Sequence, residues 1–308
     1  MQMIVKTILT CLLFFTISFG KAQSIDKKKL LTHLEYLASD ELKGRETLSE
    51  GNKKAQKYLV NYFSTLGLET HYPDFQQKFT FEYRRKKKSY EDAINVVGFV
   101  GGKSSRKLIV ITAHYDHVGI GKIHSGDSIY NGADDNASGT ATLLALAEYF
   151  SKNRPEHGIM FAALDAEEMG LHGAKALVQD FPFPLDQILV NVNMDMVSRN
   201  DEGEIYASGT HQNPTLKPIL ENATKGLRPK LMFGHDLPGI GSDNWTQSSD
   251  HGAFYDKGVP HIYFGVENHK DYHKPSDEFK NIQPEFFYNA ANLILKSILA
   301  MDRELPKE

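Results

Sequence analysis

Histidine, aspartate and glutamate recur in clusters from position 114 onward, most of them directly after a short apolar run. The clusters occupy positions 114–116, 132–139, 165–168, 195 and 272–277. Each cluster alone is weak, because a lone histidine is often structural and an aspartate before a helix is usually an N-cap. Together they offer several carboxylates and imidazoles, and burying these together is costly unless a cation compensates. A pair of zinc ions would supply that charge and accepts nitrogen and oxygen ligands.

Alternating strands and helices would position these clusters. Short apolar runs predict buried strands at 94–100, 108–113, 159–164, 188–194 and 261–265. Helical patterns cover 26–68, 138–151, 171–179, 214–225 and 284–301. This alternation predicts a largely parallel sheet with helices on both faces. The polar clusters then lie at the carboxyl ends of the strands, where open α/β sheets bind their ligands.

Composition excludes several classes of protein. The chain has 308 residues, with 41% hydrophobic and 24% charged residues, which is typical of a globular protein. Its formal net charge of −4 does not favour nucleic-acid binding, since such proteins usually carry a basic face. No linker or internal repeat interrupts the sequence, so we predict one domain over residues 23–308.

The N-terminus has the pattern of a secretory signal peptide. Lys6 precedes an apolar run over 8–19, and the small residues Gly20 and Ala22 follow it. We expect cleavage after Ala22, and therefore export to the periplasm or the medium. A lipid anchor on Cys11, the only cysteine, is disfavoured because Cys11 precedes most of the apolar run. The mature chain would then have no thiol chemistry, and any metal would need nitrogen and oxygen ligands.

A basic run covers 84–88, between two β-like segments at 75–83 and 93–100. We interpret it as a solvated hairpin loop, with docking to an acidic surface as the alternative.

The motifs, taken in order, carry a resemblance to a known family. His114-Tyr115-Asp116, the segment 132–139, Glu167-Glu168, Asn193-Met194-Asp195 and His273 resemble the secreted di-zinc aminopeptidases, a bacterial leucyl-aminopeptidase-like family. Glutamate carboxypeptidases and glutaminyl cyclases share its fold. The resemblance covers nearly the whole mature chain and is strongest over 94–280. It implies a three-layer α/β/α sandwich with a central, mostly parallel mixed sheet, the phosphorylase/hydrolase-like fold of zinc exopeptidases.

The resemblance also implies a ligand set for two zinc ions per chain. His114 and Asp195 would bind one ion, Glu168 and His273 would bind the other, and Asp135 would bridge the two. Asp135 is preferred over its neighbour because the family pattern places the bridge three residues before the serine of Asn-Ala-Ser-Gly. The family further implies a cis peptide bond after Asp135.

Three further residues receive roles from the resemblance. Glu167 would be the general base that takes a proton from the attacking water and later gives one to the leaving amine. Asp116 would orient His114 by accepting its second ring N–H. Tyr272 would donate to the oxyanion of the tetrahedral intermediate, with plain packing as the alternative.

Other residues in the same regions receive no motif-based role. We expect surface or supporting positions for six more histidines, which are His117, His124, His172, His251, His261 and His269. Segment 249–254 is predicted to form a helix and turn that line the substrate pocket, where Phe254 either contacts substrate or packs in the core. Trp245 is a candidate for the pocket rim.

The predicted function is that of a secreted metallo-aminopeptidase, which hydrolyses N-terminal residues from peptides with a free N-terminus by means of a two-zinc-activated water. An acidic pocket favours an ammonium terminus over a carboxylate terminus. The alternatives are a glutaminyl-peptide cyclotransferase with a single zinc, a zinc carboxypeptidase, and a binding module that has lost its metals. No nucleic acid and no transmembrane segment of the mature chain are expected, and the sequence does not determine the oligomeric state.

Overall fold

The computed structural model describes residues 24–85 and 87–307. The predicted signal peptide, including Cys11, lies outside the described residues. The helices are α1 (Lys27–Leu37), α2 (Glu50–Thr65), α3 (Gly139–Lys152), α4 (His172–Gln179), α5 (Leu216–Thr224), α6 (His251–Tyr255) and α7 (Pro284–Glu304). The strands are β1 (Gln76–Tyr83), β2 (Lys88–Val100), β3 (Leu108–His114), β4 (Gly119–His124), β5 (Asp127–Tyr130), β6 (Gly158–Leu164), β7 (Ile188–Met194), β8 (Glu204–Ser208), β9 (Lys230–Phe233) and β10 (His261–Gly265).

Eight strands form one mixed sheet in the order β1-β2-β6-β3-β7-β10-β8-β9. Its centre is parallel, because β3 pairs in parallel with both β6 and β7, and β7 pairs in parallel with β10. Antiparallel pairs join β1 to β2, β2 to β6 and β10 to β8. The four central parallel strands therefore end at the same edge of the sheet.

Helices cover both faces of this sheet. One hydrophobic core joins alternate sheet residues such as Ile111 and Val192 to helices α1, α2, α3, α5 and α7. The opposite core joins Val110 and Ala162 to α4 and α6. Successive strand residues point to opposite faces, so the continuous apolar strands bury both sides. The structure confirms the predicted three-layer α/β/α architecture.

Most predicted elements are present, with differences at the N-terminus and in the second half of the chain. The helical pattern over 26–68 is two helices rather than one, because Lys43, Gly44 and Arg45 all have positive φ between α1 and α2. Of the basic run, Arg84, Arg85 and Lys87 lie in the turn of the β1–β2 hairpin, as expected, and Lys88 begins β2. The small β4–β5 hairpin and the strands β8 and β9 were not predicted from the sequence. Among the described residues, no helix combines the length and apolar character needed to cross a membrane.

Candidate metal centre

The clusters identified in the sequence meet at the carboxyl edge of the central strands. In the β3–β6 ladder His114 pairs with Leu164, which is followed by the loop that carries Glu167 and Glu168. In the β7–β10 ladder Met194 pairs with Phe264. Asp195 directly follows Met194 in the chain. The parallel register therefore brings the ends of these strands to the same level. The segment preceding α3 and the loop after β10 complete the site with Asp135 and His273.

One group of ligand-type atoms surrounds the end of β3. His114 Nε2 lies 3.4 Å from Asp195 Oδ1 and 3.5 Å from Asp135 Oδ1. His114 and Asp195 are buried, yet His114 Nε2 and Asp195 Oδ1 have no hydrogen-bond partner among the described residues. Buried polar atoms are normally paired, and these two also face each other at the spacing of two ligands of one ion, so together they point to a bound cation.

A second group lies on the other side of Asp135. His273 Nε2 is 3.0 Å from Asp135 Oδ2 and 3.4 Å from Glu168 Oε2. The His273 side chain is 41% exposed, so this group faces the open part of the site. Asp135 thus turns one carboxylate oxygen toward each group.

The geometry of both groups fits divalent metal ions. Two ligands of a tetrahedral zinc ion, each bound at 2.0–2.1 Å, lie about 3.3 Å apart. The spacings in the two groups, from 3.0 to 3.5 Å, are close to this value. All the donors are imidazole nitrogens or carboxylate oxygens, the ligands that zinc accepts when no thiolate is available.

The electrostatics of the site also favour a bound divalent cation. Burial lowers the pKa of His114, but the carboxylates of Asp195 and Glu167 outweigh burial and raise it well above its usual value. Burial likewise lowers the pKa of His273, while hydrogen bonds to Asp135 and Glu168 raise it to about 10. The carboxylates that attract protons to these histidines would also attract a divalent cation.

The two neighbouring aspartates before α3 have different surroundings. Asp134 accepts hydrogen bonds from the backbone N–H and hydroxyl of Ser198, both at 2.7 Å, and lies 3.1 Å from His269 Nε2. Asp135 alone reaches both ligand groups. The peptide bond between Asp135 and Asn136 is cis, as the family resemblance implied.

Asp277 holds this segment in place. Its carboxylate accepts the backbone N–H groups of Asp134 and Asp135 at 3.0–3.1 Å. Arg45, which is fully buried, donates to the carbonyl oxygens of Tyr115, Asn131 and Gly132 and so ties together the loops on either side. Neither role was anticipated from the sequence, since these bonds join residues far apart in the chain.

Asp116 supports the site through both its backbone and its side chain. Its backbone carbonyl oxygen lies 3.2 Å from His114 Nδ1, and its carboxylate lies 3.6 Å from the same nitrogen. That carboxylate also accepts the backbone N–H of Glu167 at 3.1 Å and that of Glu168 at 3.4 Å. Asp116 therefore fixes the loop that carries both glutamates.

A pocket opens directly onto these groups. Glu167 and Tyr272 lie in its wall with Trp245, and the Tyr272 ring stacks on His273 with centroids 4.0 Å apart. Burial, together with nearby Glu168, raises the pKa of Glu167 above its usual value. Trp245 is thus at the pocket, as expected, whereas Phe254 is fully buried in the core beside α4.

His117 is the main residue of the site that sequence analysis did not identify. It is buried, and its Nδ1 lies 2.6 Å from Glu168 Oε1 and 3.9 Å from Asp135 Oδ2. His117, Asp135 and Glu168 form a second possible metal-binding group beside His114, Asp135 and Asp195. Its position three residues after His114, at the same strand end, was the available clue.

Comparison with known sequences identifies related proteins. The sequence pattern of peptidase family M28 matches residues 95–298. The aminopeptidase YwaD of Bacillus subtilis is 27% identical over 217 residues, which are 66% of this chain and 44% of YwaD. The chain spans about half the length of the curated relatives it matches, which include probable zinc metalloproteases of fungi.

Solved structures share the fold. A zinc aminopeptidase from Bacillus subtilis matches with a TM-score of 0.70 and 16% identity, over 90% of this chain and 95% of that one. A glutaminyl cyclase from Porphyromonas gingivalis matches with a TM-score of 0.71 and 15% identity, over 89% of this chain and 98% of that one. At these identities the likeness establishes the fold, which both enzyme classes have in common.

Proposed function

The chain belongs to peptidase family M28, and on this premise we propose that it is a zinc-dependent aminopeptidase with two zinc ions. The observation that carries the proposal is the position of Asp135 between two groups of ligand-type atoms. His114 and Asp195 would hold one ion and Glu168 and His273 the other, with one oxygen of Asp135 toward each. A single-ion site would need only one of these groups.

The bound ions and Glu167 have separate tasks in this proposal. Zinc, when bound, lowers the pKa of water and polarises a carbonyl oxygen. Glu167 faces the pocket next to the ligands, and its backbone is held by Asp116. Its carboxylate accepts the proton of the attacking water and then delivers a proton to the departing amine. A raised pKa suits this role, because a more basic carboxylate is a better proton acceptor.

Tyr272 is the proposed hydrogen-bond donor to the substrate. Burial, and next the charge of Asp135, raise the pKa of its phenol, so the group keeps its proton at neutral pH. The hydroxyl would donate to the scissile carbonyl oxygen as negative charge develops there. Stacking on His273 restricts the orientation of the ring.

The charge of the pocket favours an amine terminus. Four carboxylates line it, from Asp135, Glu167, Glu168 and Asp195, and the described lining residues include no lysine or arginine. A substrate ammonium group would therefore meet negative charge, whereas a C-terminal carboxylate would find no lysine or arginine in the described lining. This argues for an aminopeptidase over a carboxypeptidase.

Blocked peptides test this preference. We expect a peptide with a free N-terminus to be cleaved from that end, and acetylation of the same peptide to prevent cleavage, because the acetyl group removes the positive charge. Amidation of the C-terminus should leave the rate unchanged. Product masses over time provide the measurement. Equal cleavage of the acetylated peptide, or loss of cleavage on amidation, would contradict the assignment.

Export is part of the proposal and depends on the sequence of residues 1–22, whose pattern is that of a signal peptide. Edman sequencing of the protein secreted by its host should give Gln23 as the first residue.

A further inference from the structure

His117 contacts the proposed metal centre without belonging to its predicted ligand set. It follows β3 by three residues, and its side chain is fully buried. Gly132 makes room for it, because a Cβ atom at position 132 would lie 2.5 Å from the imidazole Cδ2. The backbone N–H of His117 also bonds to the carbonyl oxygen of Arg45 at 3.4 Å. The ring is therefore fixed against Glu168.

Distances distinguish a ligand from a hydrogen-bond donor at this position. Two ligands of one zinc ion lie about 3.3 Å apart, and the 3.4 Å between His273 Nε2 and Glu168 Oε2 matches that spacing. The 2.6 Å between His117 Nδ1 and Glu168 Oε1 is too short for two ligands and is a hydrogen-bond distance. The two oxygens of Glu168 therefore face different partners.

The tautomer of His117 follows from its surroundings. His117 Nε2 is buried and has no hydrogen-bond partner among the residues described. A proton on this nitrogen would create a buried N–H group without an acceptor. Such a group costs more free energy than a buried nitrogen lone pair without a donor. The neutral ring thus carries its proton on Nδ1, where Glu168 Oε1 accepts it.

We propose that His117 is a positioning residue, whose Nδ1–H holds Oε1 of Glu168 so that Oε2 alone is directed at the ion shared with Asp135 and His273. The inference depends on the proposed two-ion function. It predicts an asymmetric effect, because among the described residues no hydrogen bond or ion pair joins His117 to His114 or Asp195, whereas His117 bonds directly to Glu168. Partners that orient a ligand typically contribute 10–100-fold in metal affinity, so we expect about that loss at one of the two ions.

Zinc affinity of the full chain tests the inference. Zinc-free wild type and His117→Ala would be titrated with zinc against a competing chelator, and bound zinc would be counted by mass spectrometry. We expect wild type to bind two ions, and His117→Ala to bind one ion with unchanged affinity and the other about 10–100-fold more weakly. His117→Asn, whose amide N–H can replace Nδ1–H, should recover most of that loss.

The controls separate this inference from the proposed function. His124→Ala alters an exposed histidine of the adjacent β4–β5 hairpin and should bind both ions like wild type. Thermal melting of the zinc-free variants checks that each is folded. Unchanged affinity at both ions in His117→Ala, or equal weakening of both, would overturn the positioning role. A wild-type chain that binds only one ion would instead overturn the proposed function.

Discussion

Replacing Glu167 with glutamine should lower kcat for an aminoacyl-nitroanilide by a factor of about 10² to 10⁴. Glutamine keeps the shape of the side chain but cannot accept a proton from water. Glu167 belongs to neither group of ligand-type atoms, so the variant should still bind two zinc ions. Steady-state kinetics and a zinc count on the same preparation would measure both quantities.

Loss of turnover with zinc retained distinguishes a base from a ligand. Glu82→Gln, which removes an exposed carboxylate on β1, is the matched control and should keep wild-type kinetics. If Glu167→Gln retained full activity, another group would have to accept the proton, and the base assignment would be wrong.

Replacing Asp135 with asparagine should reduce bound zinc from two ions per chain to at most one and bring turnover to background. An amide has a single oxygen acceptor, whereas the carboxylate turns Oδ1 toward His114 and Oδ2 toward His273. The substitution also removes a negative charge that offsets the charge of both ions. Mass spectrometry of the zinc-loaded protein gives the count.

Asp134→Asn is the matched control for this experiment, since it makes the same change one residue earlier. Asp134 accepts its bonds from Ser198 and contacts His269, and it belongs to neither ligand group. We expect this variant to keep two ions. Two ions in Asp135→Asn would show that the residue does not bridge.

The ends of the central strands were predictable because each strand is marked by an apolar run within its own short stretch of sequence. Runs such as 188–194 and 261–265 are mostly apolar, as is usual for strands buried on both faces, and both predicted ranges match the observed strands. Parallel strands end at one edge, so the apolar pattern by itself indicates that His114 and Asp195 lie near each other. The choice of Asp135 needed the family resemblance as well.

Other features depend on contacts that the sequence does not encode locally. Strands β8 and β9 are only five and four residues long and lack a strong apolar pattern. The bonds from the Asp116 carboxylate to the backbone of Glu167 and Glu168 depend on the path of the loop after β3. His117 resembles any other histidine until the fold places Glu168 opposite it.

The zinc content of the full chain, measured together with its two possible reactions, tests the two-zinc aminopeptidase most directly. The purified protein would be loaded with zinc, freed of excess metal, and assayed for aminoacyl-nitroanilide cleavage and for cyclisation of peptides with N-terminal glutamine. Two zinc ions per chain with cleavage of the nitroanilide is the predicted result. One zinc ion per chain with cyclisation alone would contradict it and assign the protein to the glutaminyl cyclases.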